Sequence, residues 1–281
     1  MAQSSQTRAF VIPEIVTLIL QQMDMRTLMT AQRISRGWKD LICNSQSLQE
    51  KLFFQPISHD HDQSPRVGNP LLLEAFPSAF HSDEFFTLED LAWEKQAGVR
   101  EMFFRPEASW RRMLTHQPPL YRVGTFSSSA NPWSYSWSQE RAIIPKDGLR
   151  MAPLFEFLID HSEQDWAFDM AIEVLYPVPS PASFHEPDRS ISGNSMMGAQ
   201  QKMMKHFDLV LQFSSSSTCT AEQDYEEWEE ERQKKAREDG VELEDTNVDI
   251  WKRISEYYSK LGSEMAGFQT QQYDSGWGMW D

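Results

Sequence analysis

Between Val11 and Ile42, apolar side chains recur at helical spacing but cover more than one face of each helix they predict. Pro13 suits a first helical position, where its missing N–H costs nothing. The helix it opens carries Ile15, Val16, Leu18, Ile19, Leu20 and Met23. At about 100° per residue, Ile15, Leu18, Ile19 and Gln22 fall on one side and Val16, Leu20 and Met23 on another. A single neighbouring helix covers only one of those stripes. A second short helix is predicted from about Arg26 to Arg33, capped by Asp24, with Leu28 and Met29 inward. A third carries Ile34, Trp38, Leu41 and Ile42 at i, i+4, i+7 and i+8. Helices this short with this much apolar surface need a partner, because a unit of roughly 40 to 60 residues is marginal alone.

Further along, the pattern predicts a closing helix over Ser47 to Phe54 and then a linker rich in turn-forming Pro, Ser, Gly and Asn. The expected domain limits are 8–55 for the first module, 56–70 for the linker, 71–268 for a larger domain and 269–281 for a tail. Within the larger domain, Phe85 to Gln96 reads as a helix with Leu88, Leu91 and Ala92 inward. Pro106 to Leu114 reads as another, with Trp110, Met113 and Leu114 on one face and Pro118-Pro119 ending it. Leu120 to Phe126 is expected as a strand, followed by a Ser- and Trp-rich loop over Ser127 to Gln139. Leu154 to Ile159 is a short apolar element, and Asp169 to Val174 alternates as a strand does. Pro177 to Gly198 reads as loop. Phe207, Leu209, Leu211 and Phe213 alternate strongly and predict a strand. Ile250, Ile254, Tyr258 and their neighbours predict a helix stopped by Gly262. The expected fold class is therefore α+β, three N-terminal helices followed by a mixed α+β domain. The tail, with Tyr273, Trp277, Met279 and Trp280, reads as frayed, with a short linear docking peptide as the alternative.

Charge narrows the partners. The net charge of −16 argues against nucleic acid, whose binding depends on clustered Lys and Arg. Glu222 to Asp249 holds thirteen carboxylates against four bases, so −9 of that charge is local. The acidic segment at 221–240 reads as a solvated helix with only Tyr225 and Trp228 to bury. Two cysteines, Cys43 and Cys219, build no disulfide framework, which fits a reducing cytoplasm or nucleus. No apolar run reaches the ~18 residues of a membrane span. Pro13 and Glu14 inside the first apolar run speak against a signal peptide.

At the N-terminal residues the chain resembles the F-box, the module through which substrate-recognition subunits dock onto the Skp-family adaptor of cullin-based (SCF) ubiquitin ligases. The likeness lies in Ile12-Pro13-Glu14-Ile15, Ile19-Leu20, Met23-Asp24, Leu28, Arg33-Ile34-Ser35-Arg36 before Trp38, and Leu41-Ile42. The family often has Val at the place of Ile34, and Trp or Leu-Trp near Leu48-Gln49, where this chain has neither. What the resemblance implies is adaptor binding through Ile12, Pro13, Glu14, Ile15, Ile19, Leu20, Met23, Leu28, Ile34, Trp38, Leu41 and Ile42. Through that adaptor it implies a cullin. The second domain resembles fungal F-box-type proteins in Pro106-Glu107-Ala108-Ser109-Trp110-Arg111-Arg112-Met113 and Gly148-Leu149-Arg150-Met151. The two likenesses together span about residues 10 to 213, and only the first carries a known activity.

Catalytic patterns are missing from the sequence: it has no Gly-rich phosphate loop, no Gly-x-Ser-x-Gly elbow and no Cys-x-x-Cys pair. His59-Asp60-His61-Asp62 has poor spacing for a metal and reads as a solvated loop, so no cofactor and no metal is expected. The expected function is a non-catalytic substrate adaptor whose second domain binds an unidentified target protein. Alternatives are an F-box scaffold acting outside ubiquitin ligation and an enzyme whose C-terminal pocket is unreadable from sequence. Trp133, Tyr135 and Trp137 in the aromatic loop are the candidate target contacts, set against a packing role in the core.

Overall fold

Pro13 opens the first helix in the computed structural model of the chain, which describes residues 12–57, 65–81, 85–130, 134–162, 171–176, 196–216, 230, 234, 237, 247–260 and 269–279. Helix α1 (Pro13–Gln22) is followed by α2 (Met25–Ala31), where the Asp24 carboxylate accepts from the Thr27 N–H at 2.9 Å. Ser35 caps α3 (Arg36–Asn44) in the same way, accepting from the Trp38 N–H at 3.1 Å, and α4 (Gln46–Lys51) closes the set. These helices bury Val16, Leu20, Leu28, Ile42, Leu48 and Leu52 among themselves. Phe53 then takes a positive φ of 59° and turns the chain toward the rest of the molecule.

Strand β1 (Val67–Gly68) and helices α5 (Pro70–Ala75), α6 (Ala97–Phe103) and α7 (Ser109–Arg112) come next, with β2 (His116–Gln117) pairing antiparallel to β1. A hairpin of β3 (Val123–Ala130) and β4 (Ser134–Ala142) leads to α8 (Met151–Ser162), β5 (Ala171–Leu175), α9 (Met196–His206), β6 (Leu209–Ser216), α10 (Asn247–Lys260) and β7 (Thr270–Met279). The main sheet has the order β5-β6-β3-β4-β7, with β3 and β6 parallel and the other pairs antiparallel. The architecture is α+β, as expected.

One face of this sheet, through Val123, Leu209, Leu211, Phe213, Ile172 and Val174, joins a core that runs on into the N-terminal helices. Its aromatic centre is Phe76, 5.0 Å from Trp110 and 5.0 Å from Phe155, with Trp93 stacked on Phe103 at 4.5 Å. The other face packs Phe126, Trp137 and Val210 under α9 through Ala199, Met203 and Phe207. Buried charges are paired. Glu94 takes Arg253 at 2.8 Å and Arg100 at 3.1 Å, while Glu156 takes Arg111 and, at 3.2 Å, the Tyr258 hydroxyl. Arg111 thus bridges to an acidic neighbour as a packed core helix would, whereas Arg112 lies over the Phe54 ring at 4.9 Å.

Several expectations need correction. The segment 269–281, read as frayed, contributes a ten-residue strand, because the outer edge of β4 offers unpaired N–H and C=O groups that β7 satisfies from Ser134↔Met279 to Ala142↔Thr270. The loop expected over Ser127 to Gln139 is strand on both sides of 131–133. Residues 67–70 of the expected linker are structural: Val67 and Gly68 pair with β2, buried Asn69 caps α5, and Pro70 is its first residue. Phe85 to Gln96 is not helical; Phe85 bridges Glu173, the Phe86 N–H donates to the Ile172 carbonyl at 2.7 Å, and Ala92 is exposed. The helix expected from Pro106 shrinks to the single turn of α7, with Trp110, Met113 and Leu114 buried nonetheless. Helix α9 begins inside the stretch read as loop, since Met196 to Gly198 are helical, while positions 177–195 lie outside the described residues. So do Tyr225, Trp228, Gly262, Trp280 and the His59 to Asp62 run.

The first helices and the rest are joined by backbone bonds as well as by core. The Leu114 N–H donates to the Phe53 carbonyl at 2.7 Å, and the Gln117 amide donates to the carbonyls of Glu50 at 2.7 Å and Gln55 at 3.0 Å. Arg26 pairs with Glu74 across the same junction.

Candidate functional site

The two stripes of α1 separate as helical geometry requires. Val16 and Leu20 are buried, while Ile12, Ile15 and Leu18 stay in solvent at 44%, 37% and 61% exposure. Ile19 and Met23 are half-buried between them. The helix is fixed in this rotation at its end, where Lys51 donates to the Gln21 carbonyl at 2.7 Å and the Gln21 amide donates to the Ser47 hydroxyl at 3.1 Å. Beyond α2, Ile34 projects from the turn into α3 at 65% exposure. Pro13 and Glu14 are exposed too.

Of the residues expected to contact an adaptor, the structure thus presents Ile12, Pro13, Glu14, Ile15 and Ile34 outward, with Ile19, Met23, Trp38 and Leu41 half-buried. Leu20, Leu28 and Ile42 lie inward, completely buried in the core of the module itself. Leu18, which the sequence reading placed on one stripe with Ile15 and Ile19 but left out of the contact set, is among the most exposed apolar side chains of the described residues. Four exposed large aliphatic residues within 23 positions are an uncommon expenditure of apolar surface on a monomer, since they leave water in contact with side chains that favour burial.

The expected target contacts fare differently. Trp137 is buried at 6% exposure and lies against Phe126 with ring centroids 6.3 Å apart, so it packs under α9 rather than meeting a partner. Tyr135 is half-buried against the same cluster, and Trp133 lies outside the described residues.

Among the described residues no group of three His, Cys, Asp or Glu side chains can hold a metal ion. A groove of about 460 Å³ runs along α10, lined by Trp251, Lys252, Ser255, Glu256 and Ser259. All five come from a single helix. No helix among the described residues is long and apolar enough to cross a membrane.

A buried histidine supplies a separate handle on the fold. His116 is enclosed by Tyr176 at 4.8 Å and Phe80 at 5.6 Å, and its Nδ1 has no hydrogen-bond partner among the described residues. Burial, reinforced by the Arg66 charge, lowers its pKa to about 4. The folded chain therefore refuses a proton that the unfolded chain accepts near pH 6.5, and stability falls as pH drops from about 6.5 toward 4, by about 3 kcal/mol in total. Asp208 titrates in a lower window: burial raises its carboxyl, but Arg122 and Arg66 outweigh that and hold it below the usual range. Urea unfolding at pH 7 and pH 4.5 should show this loss in the natural chain and a smaller one in His116→Gln. Equal losses would mean that the ring is not the source.

No family model, curated protein or solved structure matches the chain. The F-box likeness therefore rests on the residues themselves.

Proposed function

We propose that the chain is a substrate-recognition adaptor of an SCF-type ubiquitin ligase, whose N-terminal helices dock on a Skp-family adaptor and whose α+β portion holds the target protein. The observation that carries this reading is the exposure of Ile12, Ile15, Leu18 and Ile34, on helices whose Val16, Leu20, Leu28 and Ile42 are already buried. Such a face is stable in water only at a cost of roughly 25 cal/mol per Å² of apolar area, which association recovers. The ordered residues quoted above for the F-box supply the choice of partner. Ubiquitin transfer itself belongs to other subunits, and this chain contributes proximity, raising the effective concentration of a bound target beside the conjugating enzyme.

Continuity of the core adds a mechanical consequence. Because the Phe53, Glu50 and Gln55 carbonyls are bonded to β2 and its neighbour Leu114, a target held by the α+β portion sits at a fixed orientation to the adaptor. The test is size-exclusion chromatography of the full chain mixed with a purified Skp-family adaptor. A single peak containing both proteins is expected, and two separate peaks at micromolar concentration would refute the docking.

A further inference from the structure

The turn from α2 into α3 places bases around Ile34, the most exposed isoleucine among the described residues. Arg33, Arg36 and Lys39 are all exposed, and among the described residues none of them forms an ion pair. The other bases of residues 12–55 are engaged, Arg26 with Glu74 and Lys51 with the Gln21 carbonyl. Among the acids, Asp24 is committed to its cap and Glu50 accepts from the Gln46 amide at 2.8 Å, which leaves Glu14 and Asp40. Asp40 offsets one charge of the three, so residues 33 to 40 keep a net +2.

The setting makes that patch unusual. Residues 12–55 hold five bases (26, 33, 36, 39, 51) against four acids (14, 24, 40, 50), a net of +1 within a chain of −16, so everything outside them sums to −17. The cations are also presented on ordered backbone: the Arg33 N–H donates to the Thr30 carbonyl at 2.9 Å, the Ile34 N–H to the Ala31 carbonyl at 3.1 Å, and Ser35 caps the helix that bears Arg36 and Lys39. An acidic body with one fixed basic spot beside an apolar face has a built-in orientation for an approaching anion.

We infer that Arg33, Arg36 and Lys39 form a basic rim that steers an acidic surface of the Skp-family adaptor onto Ile34 and the outward stripe of α1. The inference rests on the docking reading above and adds the chemistry of the partner's rim. The rim acts on encounter: charges at the edge of an interface raise the association rate and its sensitivity to salt, while the desolvated apolar centre sets the dissociation rate. The remainder of the chain carries net charge of the same sign as that partner and repels it.

The experiment is stopped-flow association of the full chain with a purified Skp-family adaptor at low and high sodium chloride, comparing the natural chain with Arg33→Glu/Arg36→Glu/Lys39→Glu and with the neutral Arg33→Gln/Arg36→Gln/Lys39→Gln. All three sites are exposed, and far-UV circular dichroism verifies that both variants are folded. Charge reversal is expected to slow association about tenfold or more at low salt and to flatten its salt dependence, with the Gln variant intermediate and dissociation changed less than about threefold. Unchanged association in both variants, while Ile15→Asp/Ile34→Asp abolishes binding, would overturn the rim and leave the docking face standing. If neither set of variants alters binding, the docking face falls with the rim. Binding to phosphatidylserine vesicles that disappears on charge reversal, with adaptor association untouched, would overturn the inference in favour of a membrane-directed patch.

Discussion

Trp110→Ala is expected to destabilise the fold by about 3–5 kcal/mol and to lower the midpoint of thermal unfolding by on the order of 10 °C. The indole lies 5.0 Å from the Phe76 ring and 5.6 Å from the Phe155 ring, and its N–H donates to the Phe103 carbonyl at 2.7 Å. Truncation therefore leaves a cavity among aromatic rings that are held from α5, α6 and α8 and cannot all collapse into it. It also removes the donor that satisfies Phe103. Arg111, whose guanidinium sits 5.2 Å over the same indole, loses a packing surface while keeping Glu156. Near-ultraviolet circular dichroism followed through a thermal ramp measures the change. A loss under about 1 kcal/mol would mean that Trp110 is peripheral to the core.

A second large effect is expected at the outward face. Ile15→Asp combined with Ile34→Asp should reduce affinity for a Skp-family adaptor by at least about 100-fold, because each substitution sets a charge where the complex excludes water. Stability of the free chain should change by no more than about 1 kcal/mol, since both side chains are exposed before binding. Leu20→Asp supplies the contrast. Leu20 is fully buried, so the same chemistry one turn away unfolds the helices and loses binding through the fold. Calorimetric titration beside urea unfolding of the three chains separates the two mechanisms. Retained affinity in the Ile15→Asp/Ile34→Asp chain would show that the face does not dock the adaptor.

What was legible in the sequence follows the strength of the periodic signal. The helices around Val16, Ile42 and Ile254, and the strand through Leu209 and Leu211, announce themselves because apolar residues repeat at the period of the element that buries them. The β3–β4 hairpin did not, because its outer half is serine: Ser127 opposes Ser138 and Ser129 opposes Ser136, and Ser127, Ser129 and Ser136 are exposed. Only Phe126 and Trp137 mark its buried side, too few to betray alternation. Strand β7 did carry a signal, Tyr273, Trp277 and Met279 at even spacing, but Gly276 and Gly278 between them read as a terminus. Met196, Ala199 and Met203 likewise hold the i, i+3, i+7 spacing of α9, unread because a Pro- and Ser-rich run precedes them.

The candidate face was legible only in part. Helical geometry separates the stripes of α1, but it does not tell which one the other helices take; that choice is made by packing against Leu28, Ile42 and Leu48. For the same reason the burial of Leu20, Leu28 and Ile42 was not readable from the sequence. Trp137 was left between two roles by the same ambiguity, since an aromatic residue that anchors a loop to a target and one that anchors a strand to its own core look alike in sequence.

Hydrogen–deuterium exchange of the full chain, alone and saturated with a purified Skp-family adaptor, tests the central claim most directly because it reports where the partner sits. Slowed exchange is predicted in α1 and in residues 31–42, with β4 and α10 unchanged. Binding that leaves α1 and the Ile34 turn unprotected, or protects the sheet in their place, would contradict the proposed docking face.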